Sequence, residues 1–392
     1  MEKIIQLDIQ DQKVQIPEAT KLNLKNLFSG CRVNFLLGAG FSANILKPLS
    51  NSEILFEALK RYKTKDDVDH YKIKALSAYL YWSFFLNSIK PITSNLDIKN
   101  ESFTPFKVFG DILYKIFLER GNPALDRQFS IFTTNYDPIL ELIFDQSPCI
   151  CNDGFEGRIY PIFSTDNYSK TYYRQAIFSN RKAEIPSCNL IKLHGSITWK
   201  PGTDSNQITY QGYESAINNF HENFISLFNE DILDDIDNKF TASSYEEAQE
   251  QIKSFLSNNP LDHPMDQFHD FLNKYHNSFL IVNPTKEKFS DTLLNKNYYE
   301  LLRIFSNELE KENTLLVVFG FSFRDEHILD IVKRSMVNPS LKILIFTYKA
   351  DQIDSYEDLF QTPKNNNITF ITLKNAKLTL SYLNQILSHI HL

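Results

Sequence analysis

The sequence predicts an α/β fold with a doubly wound, mainly parallel sheet and large helical insertions. Seven short runs are almost continuously Val, Ile, Leu and Phe, which is typical of strands covered on both faces. Most of these runs are followed by a helical pattern, and alternation of strand and helix favours parallel pairing. Two long helical passages, at about 45–128 and 205–277, interrupt this alternation and are predicted to be insertions.

The predicted strands are, in chain order, RVNFLLG, FSIFTTN, NLIKLHG, SFLIVNP, TLLVVFG, LKILIFTY and NITFITL. After the fifth, DEHILDIVKRSM predicts a helix capped by Asp325, and KNAKLTLSYLNQILSHI predicts an amphipathic terminal helix. Residues 1–22 alternate like a hairpin that lies outside the sheet and is a candidate assembly element, because exposed edges pair readily with other chains. Residues 23–392 then form the main domain.

The composition and charge of the sequence disfavour several classes of protein. The 392 residues carry a net charge of -7, with 42% hydrophobic and 23% charged residues, which is ordinary for a soluble domain and argues against a nucleic-acid-binding surface. The polar N-terminus is unlike a signal peptide, and no apolar run reaches the roughly 18 residues of a membrane span. Four cysteines without a disulfide framework suit a reducing compartment. We therefore expect a cytoplasmic protein that binds neither membrane nor nucleic acid directly.

A glycine-rich turn follows the first of the seven predicted strands. Gly38, Gly40 and Ala43 satisfy G-x-G-x-x-[GA] ahead of a predicted helix, as in the Rossmann-like turns that hold a pyrophosphate. A dehydrogenase of that type has an acidic residue about 20 positions later, at the end of the next strand. Here Glu53 and Glu57 fall within a helical passage, which disfavours hydride transfer.

Polar side chains also follow two later strands. Thr134, Asn135 and Asp137 stand in TTNYDP, and His194 stands in KLHGS before Gly195, which would let the backbone approach a ligand closely. Ligands of such sheets bind at the carboxyl ends of strands. The alternatives are turn formation and helix capping before Pro138, and a buried histidine with its hydrogen bonds satisfied.

Together, GAGFSAN, TTNYD, KLHGS and FGFSFRD resemble the ordered motifs of sirtuin-like proteins, which bind NAD and act at its nicotinamide–ribose bond. The resemblance extends from about Val33 to the C-terminus. It implies that Asn135 and Asp137 line the nicotinamide and ribose pocket and that His194 is the base. The NAD-binding residues that it implies are Gly38, Ala39, Gly40, Phe41, Ser42, Thr134, Asn283, Gly320, Phe321 and Ser322.

The chain departs from the protein-deacylating sirtuins. Those enzymes carry two C-x-x-C pairs for structural zinc, whereas this chain has a single C-x-C at Cys149 and Cys151, so we expect no metal. NILKPLS also lacks the acid and the arginine that follow the glycine turn in deacylases. IVNPTKEKF and GFSFRDEHI resemble the branch of bacterial antiphage defence that hydrolyses NAD. That resemblance implies a homo-oligomer with a HerA-type ATPase partner or, less favoured, an Argonaute-like one.

The predicted function is hydrolysis of the nicotinamide–ribose bond of NAD+, depleting NAD in abortive infection. Because departure of nicotinamide resembles glycoside cleavage, Asn135 would position the attacking water or ribose, Asp137 would hold the carboxamide or ribose hydroxyls, and His194 would take a proton. The product could be ADP-ribose or a cyclised form. A protein deacylase and a non-catalytic NAD- or ADP-ribose-sensing subunit remain alternatives. A G-x-S-x-G elbow and a P-loop are absent from the sequence, which disfavours an acyl hydrolase and a P-loop enzyme.

Overall fold

A nine-stranded sheet forms the centre of the computed structural model, which describes residues 3–46, 54–56, 58–59, 70–122, 124–204, 207–240, 242, 244–258, 265–282, 292–360 and 367–390. Its spatial order is β2 (Lys13–Gln15), β1 (Ile4–Gln10), β17 (Ile368–Leu373), β16 (Lys342–Phe346), β15 (Thr314–Phe319), β3 (Arg32–Leu37), β4 (Gln128–Thr133), β10 (Ser187–Lys192) and β5 (Ile150–Asn152). Every neighbouring pair is parallel except β1 with β2. The predicted α/β class with a mainly parallel sheet is confirmed.

Helices cover both faces of this sheet. The α-helices are α1 (Glu18–Gly30), α2 (Ala39–Ser42), α3 (His70–Phe84), α4 (Pro91–Asn95), α5 (Thr104–Leu118), α6 (Ile139–Asp145), α7 (Tyr213–Phe224), α8 (Glu230–Lys239), α9 (Tyr245–Asn258), α10 (Met265–Ser278), α11 (Thr292–Glu310), α12 (Glu326–Ser335), α13 (Ile353–Phe360) and α14 (Leu380–Ser388). One buried cluster on each face, around Phe35 and around Leu36, shows why β3 is apolar on both sides. No helix among the described residues is long and apolar enough to cross a membrane.

The register of the four central strands aligns their carboxyl ends. Phe319 of β15 lies opposite Leu37 of β3, which lies opposite Thr133 of β4, and Thr133 lies opposite Lys192 of β10. These are the last residues of their strands. The loops that begin at the next residue of each strand therefore emerge side by side at one edge of the sheet.

One predicted strand does not join the central sheet. Among the described residues of SFLIVNP, which end at residue 282, Leu280–Ile281 (β14) form a strand that pairs antiparallel with Gly195–Ser196 (β11) beyond the end of β10. The apolar run correctly indicated burial, since Leu280 and Ile281 are each only 2% exposed. It did not indicate which sheet the strand would join. The prediction that this run is a strand of the parallel sheet is wrong.

The N-terminal hairpin is part of the sheet. β1 pairs parallel with β17, and β2 pairs antiparallel with β1. The alternation in β1 has a simple cause, because Ile5 and Leu7 are buried while Ile4 is exposed. The prediction of a hairpin outside the sheet is therefore wrong, and its role in assembly stays a prediction.

Several short strands between β5 and α7 were not predicted from the sequence. β12 (Trp199–Pro201), β13 (Ile208–Tyr210), β7 (Ile162–Phe163) and β6 (Phe155–Glu156) form a small sheet in that order, and β8 (Tyr173–Gln175) pairs with β9 (Lys182–Glu184). Each contains two or three residues, which is too few for alternation to be read from the sequence.

The helices of the two predicted insertion ranges pack against each other. Trp82 of α3 stacks on Phe228, with ring centroids 4.9 Å apart and planes at 8°. The same indole meets Phe271 of α10 edge-on at 6.0 Å. Aromatic contacts of this kind join α3 to α10 and to the segment between α7 and α8 in one apolar layer, although the two ranges are far apart in the chain.

Candidate active site

The glycine turn packs directly against the loop that follows β15. The N–H of Gly40 donates to the carbonyl oxygen of Gly320 at 2.9 Å. A Cβ on Gly40 would lie 2.6 Å from Cα of Gly320, and the φ angle of Gly320 is +66°. Close approach of two backbones thus explains glycine at both positions. Contact of this turn with a pyrophosphate stays a prediction.

Three buried side chains join the glycine turn to the loop after β4. The amide nitrogen of Asn135 donates to the carbonyl oxygen of Gly38 at 3.1 Å and to Oγ of Ser42 at 2.9 Å. Ser42 in turn donates to Oδ2 of Asp137 at 2.8 Å. Because these two bonds can use both amide hydrogens of Asn135, its Oδ1 is the atom that can accept a hydrogen from a substrate or water.

Asp137 also organises the backbone around it. Its Oδ1 accepts the N–H of Ile139 at 3.1 Å, at the start of α6. Because Pro138 is the N-cap of α6, this bond is the turn formation that the sequence left open as an alternative. Asp137 is 7% exposed. With both oxygens accepting from the protein, its carboxylate fixes the position of Ser42 and, through it, of Asn135.

A buried ion pair supports this loop, and sequence reasoning missed it. Nζ of Lys192 lies 2.9 Å from Oε1 of Glu141 and also donates to the backbone oxygen of Asp137. Burial raises the pKa of the Glu141 carboxyl, and the neighbouring Lys192 ammonium opposes that shift. The available signal was a lysine in the otherwise apolar strand NLIKL, since lysine is almost never fully buried unless it is paired.

His194 lies two residues past β10, at the position that corresponds to Asn135 past β4. Its Nε2 is 3.0 Å from Oδ2 of Asp325, and the two side chains are only 16% and 7% exposed. Oδ1 of the same carboxylate caps α12 by accepting the N–H groups of His327 and Ile328. Only the cap formed by Asp325 was predicted from the sequence, because its partners are close in the chain. The contact with His194 joins residues far apart in the chain and was not predicted.

Gly195 lets two protein backbones meet. Its φ angle is +73°, and a Cβ there would collide with the carbonyl oxygen of Leu280 in β14. The N–H of Val282 donates to the carbonyl oxygen of His194 at 2.8 Å. The close approach predicted at Gly195 is therefore made by β14.

The remaining predicted residues lie at the same edge but differ in exposure. The ring of Phe41 packs in the core at 5.2 Å from that of Phe109, so only its backbone can meet a ligand. Phe321 is 8% exposed. Ala39 and Ser322 are exposed, and Thr134 is half-buried. Asn283 lies outside the described residues.

The cysteines of the chain are poor candidates for metal ligands. Cys149 and Cys188 are buried, and burial raises the pKa of the Cys149 thiol to about 12. A thiol that stays protonated does not coordinate a metal. Within the described ranges no cluster of three or more His, Cys, Asp or Glu side chains could hold an ion. The absence of zinc stays a prediction.

A cavity of about 410 Å³ lies at the opposite, amino-terminal edge of the sheet. Asn34, Ser130 and Asn189, which are neighbours in register on β3, β4 and β10, contribute to its lining. Parallel sheets of this kind bind ligands at their carboxyl edge. The carboxyl edge, with the hydrogen-bonded set of Asn135, Ser42 and Asp137 on one loop and His194 on the neighbouring loop, is therefore the candidate site.

This fold defines an α/β protein with polar side chains at the carboxyl edge of a mainly parallel sheet. Residues 130–371 match the SIR2-like domain family, and this range is more than half of the chain. The chain belongs to the SIR2-like domain family. Asn135, Asp137, His194 and Gly320 lie inside the matched range, whereas the glycine turn precedes it. No curated protein matches the chain.

SIR2-like domains use NAD+, and the family is associated with NAD-dependent enzymatic activity. The polar groups at the carboxyl edge fit such a substrate. Oδ1 of Asn135 can accept a hydrogen from a hydroxyl or water, and an imidazole such as that of His194 can donate or accept a hydrogen bond. Ala39 and Gly40 expose the turn where a phosphate would lie.

Proposed function

We propose that this chain is an NAD+ hydrolase that cleaves the nicotinamide–ribose bond. The observation that carries the proposal is the hydrogen-bonded set of Asn135, Ser42 and Asp137 beside the strand end that bears His194. Binding a pyrophosphate requires none of these side chains. A buried amide held by two partners is instead typical of a group that orients a reacting atom.

Asn135 acts through its carbonyl oxygen. Because its amide hydrogens go to Gly38 and Ser42, Oδ1 accepts a hydrogen from the attacking water or a ribose hydroxyl and fixes its direction of approach. Asp137 holds this arrangement through Ser42 and adds negative charge near the sugar. Negative charge stabilises an oxocarbenium-like transition state, so Asp137 has an electrostatic role besides the positioning one.

His194 acts as the proton acceptor. Nicotinamide leaves NAD+ as a neutral molecule, so the reaction needs little help from an acid and more from a base. By its chemistry, a neutral imidazole has one ring nitrogen with a free lone pair, and this type of group commonly takes a proton from a nucleophile. General base assistance of this kind typically contributes about 10²–10⁴-fold.

The partner and the setting belong to the same proposal. An active NAD+ hydrolase harms its own cell, so a gate is required. We propose a cytoplasmic homo-oligomer that acts in antiphage defence through abortive infection and is controlled by a HerA-type ATPase. The resemblance of GFSFRDEHI and IVNPTKEKF to that branch supports this part of the proposal.

The experiment measures free nicotinamide after purified protein is mixed with NAD+, with and without the product of the neighbouring gene. We expect release by the natural chain and a loss of about 10²–10⁴-fold in His194→Ala. His269→Ala is the matched control, because His269 is an exposed histidine of α10. Equal nicotinamide release by His194→Ala and the natural chain would contradict the mechanism. Tight NAD+ binding without release under both conditions would favour the sensing subunit.

A further inference from the structure

We propose that the cavity at the amino-terminal edge of the sheet is a second binding site, which takes a small phosphorylated sugar, either free or within a mononucleotide. The cavity holds about 410 Å³, a volume within the range of small-molecule sites. It lies at the opposite end of β3, β4 and β10 from the candidate active site. The inference therefore goes beyond the proposed function, and its test requires no turnover of NAD+.

A row of polar side chains lines one side of this cavity. Asn34 of β3, Ser130 of β4 and Asn189 of β10 are neighbours in register, and all three contribute to the lining. The row faces α11, because Leu36, two residues after Asn34 on the same side of β3, belongs to one buried cluster with Phe305 of α11. Strands that are buried on both faces are usually almost continuously apolar. Polar residues at the same level of three adjacent strands therefore require an explanation.

Two buried donors that line the cavity lack a partner. Nδ2 of Asn34 and Nε of Arg120 have no hydrogen-bond partner among the described residues, and the two residues are only 2% and 6% exposed. Such groups cost free energy and are rare unless a water, an ion or a ligand completes them. The χ2 torsion of asparagine lies in a broad energy well, which lets this amide turn towards the cavity. Since both atoms are donors, the missing group is an acceptor.

Asn189, in the same row, shows how a structural asparagine is held in this sheet. Its Nδ2 donates to the carbonyl oxygen of Tyr168 at 3.1 Å. Its Oδ1 accepts from Asn152 at 3.0 Å and from Gln128 at 3.3 Å. Among the described residues, no bond of this kind reaches the amide nitrogen of Asn34. Internal hydrogen bonding thus explains Asn189 but leaves Asn34 for a ligand.

The charged residues of the lining favour an anionic acceptor. Three cations, Arg32, Arg120 and Lys311, stand against two anions, Asp126 and Glu308, which leaves one positive charge in excess. Arg32 lies 3.7 Å from Asp126 and Lys311 lies 2.6 Å from Glu308, and both pairs are partly exposed. Exposed pairs contribute little, so both cations can turn to a ligand at small cost. A phosphate offers several acceptor oxygens and forms charge-assisted hydrogen bonds with arginine.

Hydroxyl side chains complete the lining and fit a sugar. They belong to Ser130, Thr165, Ser169 and Thr171. A hydroxyl group both donates and accepts hydrogen bonds, so it can match the hydroxyl groups of a ribose in either direction. The cations would then hold the phosphate and the polar row would hold the sugar.

The test measures binding to the natural chain by isothermal titration calorimetry, with ribose 5-phosphate as the main probe. We expect saturable binding of ribose 5-phosphate and no binding of unphosphorylated ribose. AMP and inorganic phosphate are the further probes, and the tighter of ribose 5-phosphate and AMP identifies the source of the sugar phosphate. If neither of these two binds, or if ribose binds as tightly, the inference is overturned.

Asn34→Leu tests the unpartnered amide directly. Leucine has a similar shape but no donor, so we expect the free protein to melt at a higher temperature and to bind ribose 5-phosphate at least about tenfold more weakly. Asn189→Leu is the matched control for stability, because it removes three hydrogen bonds and should lower the melting temperature. A lower melting temperature in Asn34→Leu would show that this amide is structural. Undiminished binding by Asn34→Leu would also refute the proposed site.

Lys311→Met is the second variant, at a position where the side chain is partly exposed and folding is not at risk. We expect it to weaken the binding of ribose 5-phosphate about tenfold because one phosphate contact is lost. Lys274→Met is its control, since Lys274 is an exposed lysine of α10 that pairs with Asp270 in the same way. Equal affinities in these two variants would place the phosphate elsewhere and overturn the inference. None of these measurements depends on nicotinamide release, so the proposed function can fail while the second site stands.

Discussion

The hydroxyl of Ser42 donates to the carboxylate of Asp137 across 2.8 Å, although 95 residues separate them in the chain. The same hydroxyl accepts from Asn135 at 2.9 Å, so a single side chain connects the amide and the carboxylate at the candidate site. Sequence analysis expected Ser42 to hold a pyrophosphate. Its burial, at 3% exposed, makes it a structural link between the two loops.

Removing that link should cost both activity and stability. In Ser42→Ala, Asp137 loses a donor and Asn135 loses an acceptor inside a buried site, at a cost of about 1–3 kcal/mol. If the same free energy is lost from the transition state, nicotinamide release should fall about 5- to 150-fold. Ser257→Ala, at an exposed serine of α9, is the control and should match the natural chain. Undiminished release by Ser42→Ala would show that the link has no catalytic role.

Substitution of Gly40 should disrupt the junction between two loops. The new methyl group of Gly40→Ala would lie 2.6 Å from Cα of Gly320, a backbone atom that cannot move independently. We expect a melting temperature several degrees lower and a loss of NAD+ binding. Gly30→Ala is the matched control, because a Cβ there meets nothing within 4 Å and alanine in a helix is more stable by about 0.5–1 kcal/mol. Equal melting temperatures in the two variants would contradict the steric argument.

The buried ion pair predicts a large loss of stability when one partner is replaced and a smaller loss when both are replaced. Lys192→Met leaves the Glu141 carboxylate buried without its cation, which typically costs about 3–5 kcal/mol. Adding Glu141→Leu removes that charge and should restore part of the loss, as measured by denaturant unfolding. Lys170→Met is the control, since Lys170 pairs with Glu156 at the surface, where such pairs contribute about 0–1 kcal/mol. A double variant less stable than Lys192→Met would refute this account.

Assembly can be tested at two exposed hairpin tips. Ile177 and Phe178, between β8 and β9, are 89% and 98% exposed, and Ile159 and Tyr160, between β6 and β7, are 81% exposed each. We expect copies of the chain to bury these side chains, because adjacent exposed apolar groups mark interaction sites. Light scattering should give a smaller particle for the double variant Ile177→Ser, Phe178→Ser.

The control for that experiment is Val337→Ser, which removes a comparably exposed apolar side chain just past α12. It should leave the particle mass unchanged. A natural chain that is already monomeric, or a double variant with the natural mass, would rule these tips out as the assembly surface.

The sequence predicted the strands of the sheet well where they are long and buried on both faces. β3, β4, β10, β15, β16 and β17 each have five or six residues, and their apolar runs are distinct. Because parallel strands in register end together, the run boundaries also placed Asn135 and His194 at one edge. Strands of two or three residues carry no period, so the small sheet around β7 could not be recognised.

Contacts between side chains that are far apart in the chain could not be predicted from the sequence, for a different reason. The cap formed by Asp325 is local, since its partners follow within three residues, and the motif reveals it. Its contact with His194 depends on how two strand-end loops are placed in space. The same holds for Ser42 with Asp137, so the sequence could single out these residues individually but could not predict the hydrogen bonds between them.

The pairing of β1 with β17 has a consequence for biosynthesis. β1 (Ile4–Gln10) leaves the ribosome long before its parallel neighbour Ile368–Leu373, which is made hundreds of residues later. Contacts of such long sequence separation form late, because the intervening chain must be ordered first. A nascent chain that stops before β17 therefore holds an unpaired edge strand, and translational stalling at that stage would expose the protein to aggregation.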